Sequence, residues 1–421
     1  MKKYLFIFAT AAIAVSCSNS DSFKDIETSD TAIGFSTYAG ILTRAENSSA
    51  TSKNTLEAYN NTFKVWGYKY VTGTETPVIG AVEGANSTYT YPGQLVEHVA
   101  ASGTTAEHWE YTPVRFWDKS ATSYSFYAAS PNEPTGANWV WDNTNKKVSI
   151  ANFAITGYNS VTETPATSVD PAKVLTSALT TEDLMISTDV TNHKTYTNTP
   201  VTLDFNHILS RLNIGVRKAT ILDNYDVKLN SIKVYNMKSN GSFNENLASG
   251  TTLSSGTIAR WATAPTTPTT FTSGVGYTPA TALLIESTET TASTNYQYVY
   301  EGLVIPQSVA YNQTVEVKDF VANSTPAHFR LDGQDKSATC APYIEIDYEI
   351  WTKGNDAAKM DGYKYYYNLA DVFNGTATTA VDFCEGWQNT LKITLAPAAI
   401  NFDADVYQWA TKQDVSVNIT D

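Results

Sequence analysis

An all-β fold of two sandwich domains is what the sequence predicts, and three observations predict it. Thr, Ser, Asn, Tyr and Val are plentiful while Leu, Met, Arg and Glu are sparse, which favours strands and turns over helices. Short alternating or apolar segments recur between clusters of Gly, Pro, Asn and Thr, with no long helical period among them. The 421 residues also suit two domains at roughly 100 to 200 residues each, large enough to bury two cores.

The elements follow in chain order. Ile33-Gly34-Phe35-Ser36-Thr37-Tyr38 alternates as one half-buried strand. A polar stretch from Glu46 to Lys53 follows Leu42-Thr43-Arg44-Ala45 and has the character of an exposed, protease-accessible segment, with Arg44 an easy cleavage point. Residues 54–59 suit a short helix. Strands are predicted over 62–70, 123–128, 201–217, 226–234, 296–305, 314–321, 343–351 and 390–395, and the Thr/Pro-rich stretch 262–271 reads as a loop. The polar run 189–200 is the expected domain boundary, dividing an N-terminal sandwich over 45–194 from a C-terminal one over 195–421. No fixed-period repeat suggests a solenoid or propeller.

The first residues have a separate meaning. Lys2 and Lys3 precede an apolar run from Leu5 to Val15 that is too short to span a bilayer and has the form of a removable secretory signal. It ends in Ala14-Val15-Ser16-Cys17, which resembles the lipobox of bacterial lipoproteins, in which the chain is cut before the Cys and its sulfur carries lipid. Residues 1–17 are thus expected to be signal and lipobox, and 18–44 a propeptide. The other reading is an ordinary secretory signal followed by an incidental Cys. With Cys17 lipidated, Cys340 and Cys384 remain for a disulfide in an oxidising compartment, with a free buried Cys the alternative.

Charge and motifs exclude several classes. The net charge is −14 and no Lys/Arg cluster stands out, so nucleic acid is a poor partner. There is no Gly-x-Ser-x-Gly elbow, His-Glu-x-x-His, P-loop or CxxC pair, and the five His residues are scattered, so no catalytic residue, metal site or cofactor is assigned. His207 on a strand reads as a packed or hydrogen-bonded His. Glu345, Asp347 and Glu349 share one face of a strand, where a solvated surface explains them more simply than a glycosidase or calcium site. Trp139-Val140-Trp141 and Tyr363 to Tyr367 concentrate aromatic rings; core packing accounts for most such rings, and a ligand platform is the alternative.

Phe205-Asn206-His207-Ile208-Leu209-Ser210-Arg211-Leu212 resembles the F-x-H-x-L-S-R-L strand of fimbrillins and Mfa-like proteins, the subunits of type V pili and related surface lipoproteins of Bacteroidales. Leu303-Val304-Ile305-Pro306-Gln307, the strand from Gly386 to Leu395, Ile400-Asn401-Phe402 and Val406-Tyr407-Gln408-Trp409 follow in the family's order, as do the lipobox and Thr43-Arg44-Ala45 before them. The resemblance implies two transthyretin-like β-sandwiches, attachment to outer-membrane lipid through Cys17, and cell-surface assembly with other fimbrillin subunits. It also implies an Arg-specific protease that cuts between Arg44 and Ala45. The strand carrying Ile33, Phe35 and Thr37 would leave, and a strand from another subunit would take its place. Cutting there removes four basic and four acidic residues, so the charge stays at −14 and maturation acts through strand exchange. Residues 414–420 qualify as the donor, with Val415, Val417 and Ile419 on one face; an ordinary last strand is the alternative. A surface lipoprotein that never polymerises and binds glycans or a protein is the second functional reading.

Overall fold

The computed structural model describes residues 31–39, 56, 60–155, 182–191, 200–246, 260–262, 275–278, 281–289, 296–309, 320–321, 328–329, 342–374, 380–397, 400–408 and 415–418. Within them the fold is all-β. Its one α-helix, Leu369–Asn374, has six residues, and no described helix is long and apolar enough to cross a membrane.

An eight-stranded sheet runs in the order Phe35–Ala39, Val201–His207, Met185–Thr191, Ser123–Ser130, Thr62–Val71, Gln94–Val99 and His108–Glu110. Its eighth strand, Thr74–Ile79, shares the outer edge of Thr62–Val71 with Gln94–Val99. Gly80 and Gly93 stand where those two neighbours part: both have φ of +79°, and a Cβ on Gly80 would lie 2.3 Å from the Val65 carbonyl oxygen. Val201–His207 shows the logic of a half-buried strand. Val201, Leu203, Phe205 and His207 point inward, whereas Thr202, Asp204 and Asn206 face out. The inward set joins Phe63, Val65, Phe126 and Met185 in one core.

Two further sheets have five strands each. The first runs Gln297–Val304, Ser210–Lys218, Trp387–Leu395, Ile400–Gln408, Val415–Asn418. The second runs Val275–Tyr277, Tyr225–Tyr235, Tyr343–Thr352, Lys359–Asn368, with Leu283–Ile285 also on Tyr225–Tyr235. Leu212, Ile214, Val216, Leu391 and Ile393 from the first meet Val227, Leu229, Ile232, Ile344 and Ile346 from the second in a common core. A bulge between Leu229 and Ser231 moves the inward phase from odd to even positions, so Ile232 and Val234 stay buried.

Two features differ from the sequence expectation. The run 201–217 is two strands in different sheets, and the chain passes between them at Ile208 and Leu209, both fully buried. Secondly, a four-stranded sheet places Trp139–Asp142 and Lys147–Ala154 beside Asn240–Asn244 and Trp261–Ala262. Segments from both sides of the expected boundary therefore share one sheet. Of the expected strand 314–321, Phe320–Val321 is described, paired with His328–Phe329. Of the expected helix 54–59, Leu56 is the described residue.

Candidate strand-exchange groove

The N-terminal strand forms one edge of the eight-stranded sheet, and the residues just before it bond to the segment Arg115 to Trp117. On one side Phe35–Ala39 pairs in parallel with Val201–Phe205, and the Val201 amide donates to the Gly34 carbonyl at 2.8 Å. On the other side, the Ile33 amide donates to Arg115 O at 2.8 Å and the Trp117 amide to Thr31 O at 3.0 Å, while the Tyr111 hydroxyl donates to Ile33 O at 2.8 Å. Thr31 and Ile33 thus have main-chain partners on one side and Gly34 to Ala39 on the other, with Phe35–Ala39 itself the edge strand of its sheet.

The alternation anticipated from the sequence is present. Ile33, Phe35 and Thr37 are 1%, 4% and 8% exposed, while Gly34 and Ser36 are partly open, with Ser36 Oγ 3.0 Å from Thr202 Oγ1 outside. Phe35 lies among Phe63, Tyr111 and Phe126, with ring centroids at 6.0, 5.7 and 5.7 Å; two of these contacts are edge-to-face and the third is tilted. Burying the Ile33 and Phe35 side chains stabilises this arrangement by about 3 to 6 kcal/mol before ordering costs. Thr37 Oγ1 accepts a hydrogen bond from the Leu56 amide at 3.3 Å.

Sequence reasoning missed what lies beneath Thr37. Leu56 O accepts from the Asn60 amide at 2.8 Å, and Asn60 Nδ2 donates to Asp183 O at 2.8 Å and to Ser130 Oγ at 3.0 Å. The Asp183 carboxylate in turn meets the His207 ring, and both side chains are buried. His207 is thus a hydrogen-bonded core residue, as its place on a strand suggested. Its partner Asp183 is distant in sequence, and only the pairing of 185–191 with 201–207 brings the two together.

The other expected site residues fall as follows. Arg44 and Ala45 lie outside the described residues, as do Cys17, Cys340 and Ile419. Cys384 is buried, with Sγ 3.9 Å from the Asp382 carbonyl oxygen. Val415 and Val417 belong to the edge strand Val415–Asn418, which pairs antiparallel with Asp403–Val406 of this same chain. The tail and the N-terminal strand therefore occupy different sheets here.

The acidic and aromatic clusters are paired and packed within the fold, and Glu345 is buried rather than on the solvated face that the sequence suggested. Lys364 Nζ lies 3.3 Å from Glu345 and 3.4 Å from Asp347, and Lys359 Nζ lies 2.6 Å from Glu349. Burial raises the Tyr235 hydroxyl to about 12, with help from the Glu345 charge. Among the described residues no group of three or more His, Cys, Asp or Glu could hold a metal ion. Trp139 is buried, Trp141 stacks on buried Trp66 at 4.8 Å and 8°, and Tyr363, Tyr365 and Tyr366 are buried, so these rings serve packing.

No curated protein matches the chain. Among solved structures, a fimbrial protein from Bacteroides vulgatus is similar at 14% identity, covering 90% of this chain and 99% of that one with a TM-score of 0.49. The tip fimbrial protein Mfa3 from Porphyromonas gingivalis, solved with a C-terminal truncation, is similar at 10% identity, covering 90% of this chain and 100% of that one with a TM-score of 0.34. The fimbrillin-like family model matches residues 43–409, which contain the whole span from the expected cleavage point to Trp409. The chain, with the ordered sequence blocks and the all-β fold already described, belongs to the fimbrillin-like family.

Proposed function

We propose that the protein is a structural fimbrial subunit, exported as a lipoprotein precursor and assembled by strand exchange, which contributes to adhesion at the cell surface. The observation that carries this reading is the seat of the N-terminal strand: an edge segment, paired with Val201–Phe205 and held at Thr31 and Ile33 by Trp117 and Arg115, fills three inward positions of a sheet. Removing such a segment opens a ready edge whose backbone groups and pockets match an incoming strand. In the proposed sequence, lipid on Cys17 holds the precursor at the outer membrane, and an Arg-specific protease cuts after Arg44. The strand from Thr31 to Ala39 then loses its covalent link and its effective-concentration advantage. A strand from another subunit takes its place, and Val415, Val417 and Ile419 form the strand this subunit gives.

Limited Arg-specific proteolysis of the purified precursor tests the first step. Mass spectrometry should find a product beginning at Ala45, and the released fragment should exchange with a synthetic peptide of residues 31–39. A precursor that stays intact at Arg44, or a cut product that never exchanges its fragment, would remove the basis of the proposal.

A further inference from the structure

The positions filled by the N-terminal strand are unequal, and the inequality bears on which strand replaces it. Read inward, they hold a medium aliphatic side chain at Ile33, an aromatic one at Phe35 and a small hydroxyl at Thr37. Rings wall the middle position, with Phe63, Tyr111 and Phe126 all within 6.0 Å of the Phe35 centroid. Phe63 and Phe126 are themselves fully buried on neighbouring strands, so the wall cannot collapse onto a smaller side chain and a void would remain. The third position presents the Leu56 amide, whose hydrogen bond to Thr37 an aliphatic side chain cannot replace.

The chain's own tail beyond the Ile400–Gln408 strand fits these positions poorly. When Val415, Val417 and Ile419 are all turned inward, Val417 falls at the ring-walled position whichever direction the tail enters. The Leu56 amide then faces Ile419 or Val415, neither of which accepts a hydrogen bond. Sliding the tail by two residues brings Val415 or Ile419 to the rings and puts Gln413 or Asp421 either at the apolar Ile33 position or, longer than the small hydroxyl it replaces, at the Thr37 position; in every register the ring-walled position receives an aliphatic side chain smaller than Phe.

We infer that in the assembled fibre this groove takes a strand from a different kind of subunit, with an aromatic residue at its middle inward position and a small hydroxyl residue two places away, rather than the tail of a second copy of this chain. The inference rests on the strand-exchange reading above. It makes the protein a joint between unlike subunits, with its own tail destined for a groove of another shape.

The test uses the full precursor cut at Arg44 with its N-terminal fragment still seated. Three synthetic peptides compete for the groove: residues 31–39, residues 413–421, and residues 413–421 carrying Val417→Phe. Native mass spectrometry follows displacement of the fragment. The 31–39 and Val417→Phe peptides should act at concentrations about tenfold or more below the natural tail, the scale of a large-to-small change in a packed site. A natural tail as potent as the Val417→Phe peptide overturns the inference and leaves strand exchange standing. Failure of all three peptides, the groove's own sequence included, overturns strand exchange and the inference together.

Discussion

The Nδ1 atom of His207 lies 2.7 Å from Oδ2 of Asp183, and the two side chains are almost completely buried. Through Asn60 and Leu56 this pair is the foot of a hydrogen-bonded path that ends on Thr37 of the N-terminal strand. Asp183→Ala leaves the imidazole buried without its carboxylate, which should cost about 1 to 3 kcal/mol. Urea unfolding measures that loss. Faster amide exchange at Val201–Phe205 in the variant would show that the damage reaches the groove.

Phe35→Ala removes a side chain set among three rings and should weaken docking of the N-terminal strand by about 3 to 5 kcal/mol. That loss is comparable to what the strand gains by docking, so the strand should open locally before the rest of the molecule unfolds. Hydrogen exchange should rise at Val201–Phe205 and at Trp117, with Tyr225–Tyr235 unchanged. Uniform loss of protection across the chain would show that the strand is integral to the global fold.

Arg44→Ala and Val417→Asp should interrupt assembly at different stages. On cells making the other subunits, Arg44→Ala should accumulate as uncut monomer, because the N-terminal strand stays tethered. Val417→Asp should be cut and still accept another subunit's strand in its own groove, but it should fail to join through its tail, because an unpaired carboxylate cannot enter an apolar site in a partner. SDS-resistant ladders from both variants, equal to the parent's, would remove Arg44 and the tail from the assembly step.

Cys17→Ala should abolish lipid labelling and shift the protein out of the membrane fraction. A substituted protein retained in membranes as well as the parent would show that Cys17 is not the attachment point.

Glu385 supplies a pH prediction. Burial raises its carboxyl above the usual 4.5 by more than the charge and hydrogen bonds of Arg260 lower it. The folded state therefore holds this proton more tightly than the unfolded chain does. Its contribution to stability is complete below about pH 4.5 and declines as pH rises through the raised value. Glu385→Gln cannot ionise, so its stability relative to the parent should improve from pH 4 toward pH 7. A relative stability that is flat or falls over that range would contradict the assignment.

Much of the fold was legible because strands with one buried face announce themselves. The pattern from Ile33 to Thr37 and from Val201 to His207 alternates strictly, and both segments are strands with those residues inside. The change of sheet at Ile208 and Leu209 was not legible. No Gly or Pro marks it; its one trace is that the apolar positions pass from odd at Val201, Leu203 and Phe205 to even at Leu212, Ile214 and Val216 across the apolar pair Ile208-Leu209. Lys359–Asn368 was seen as a cluster of rings and not as a strand, since Tyr occupies both of its faces at Tyr365, Tyr366 and Tyr367. In the groove, the inward residues of the N-terminal strand were readable from alternation alone. Its far flank at Arg115 and Trp117, and the path through Leu56, Asn60 and Asp183, depend on pairing between distant segments that no local pattern encodes.

Ser36 and Thr202 stand side by side but are 166 residues apart in the chain. During synthesis Phe35–Ala39 is made before its parallel neighbour Val201–His207, which appears only after the rest of the sheet. Pairing over so long a span is slow, because the entropy of closing the loop must be met before any contact repays it. The strand should therefore be the last to gain protection when the precursor refolds, docking onto a sheet that is already built. A part that docks last onto a finished sheet can also be withdrawn without unthreading the rest, so under the proposed maturation cleavage would run the last step of folding in reverse.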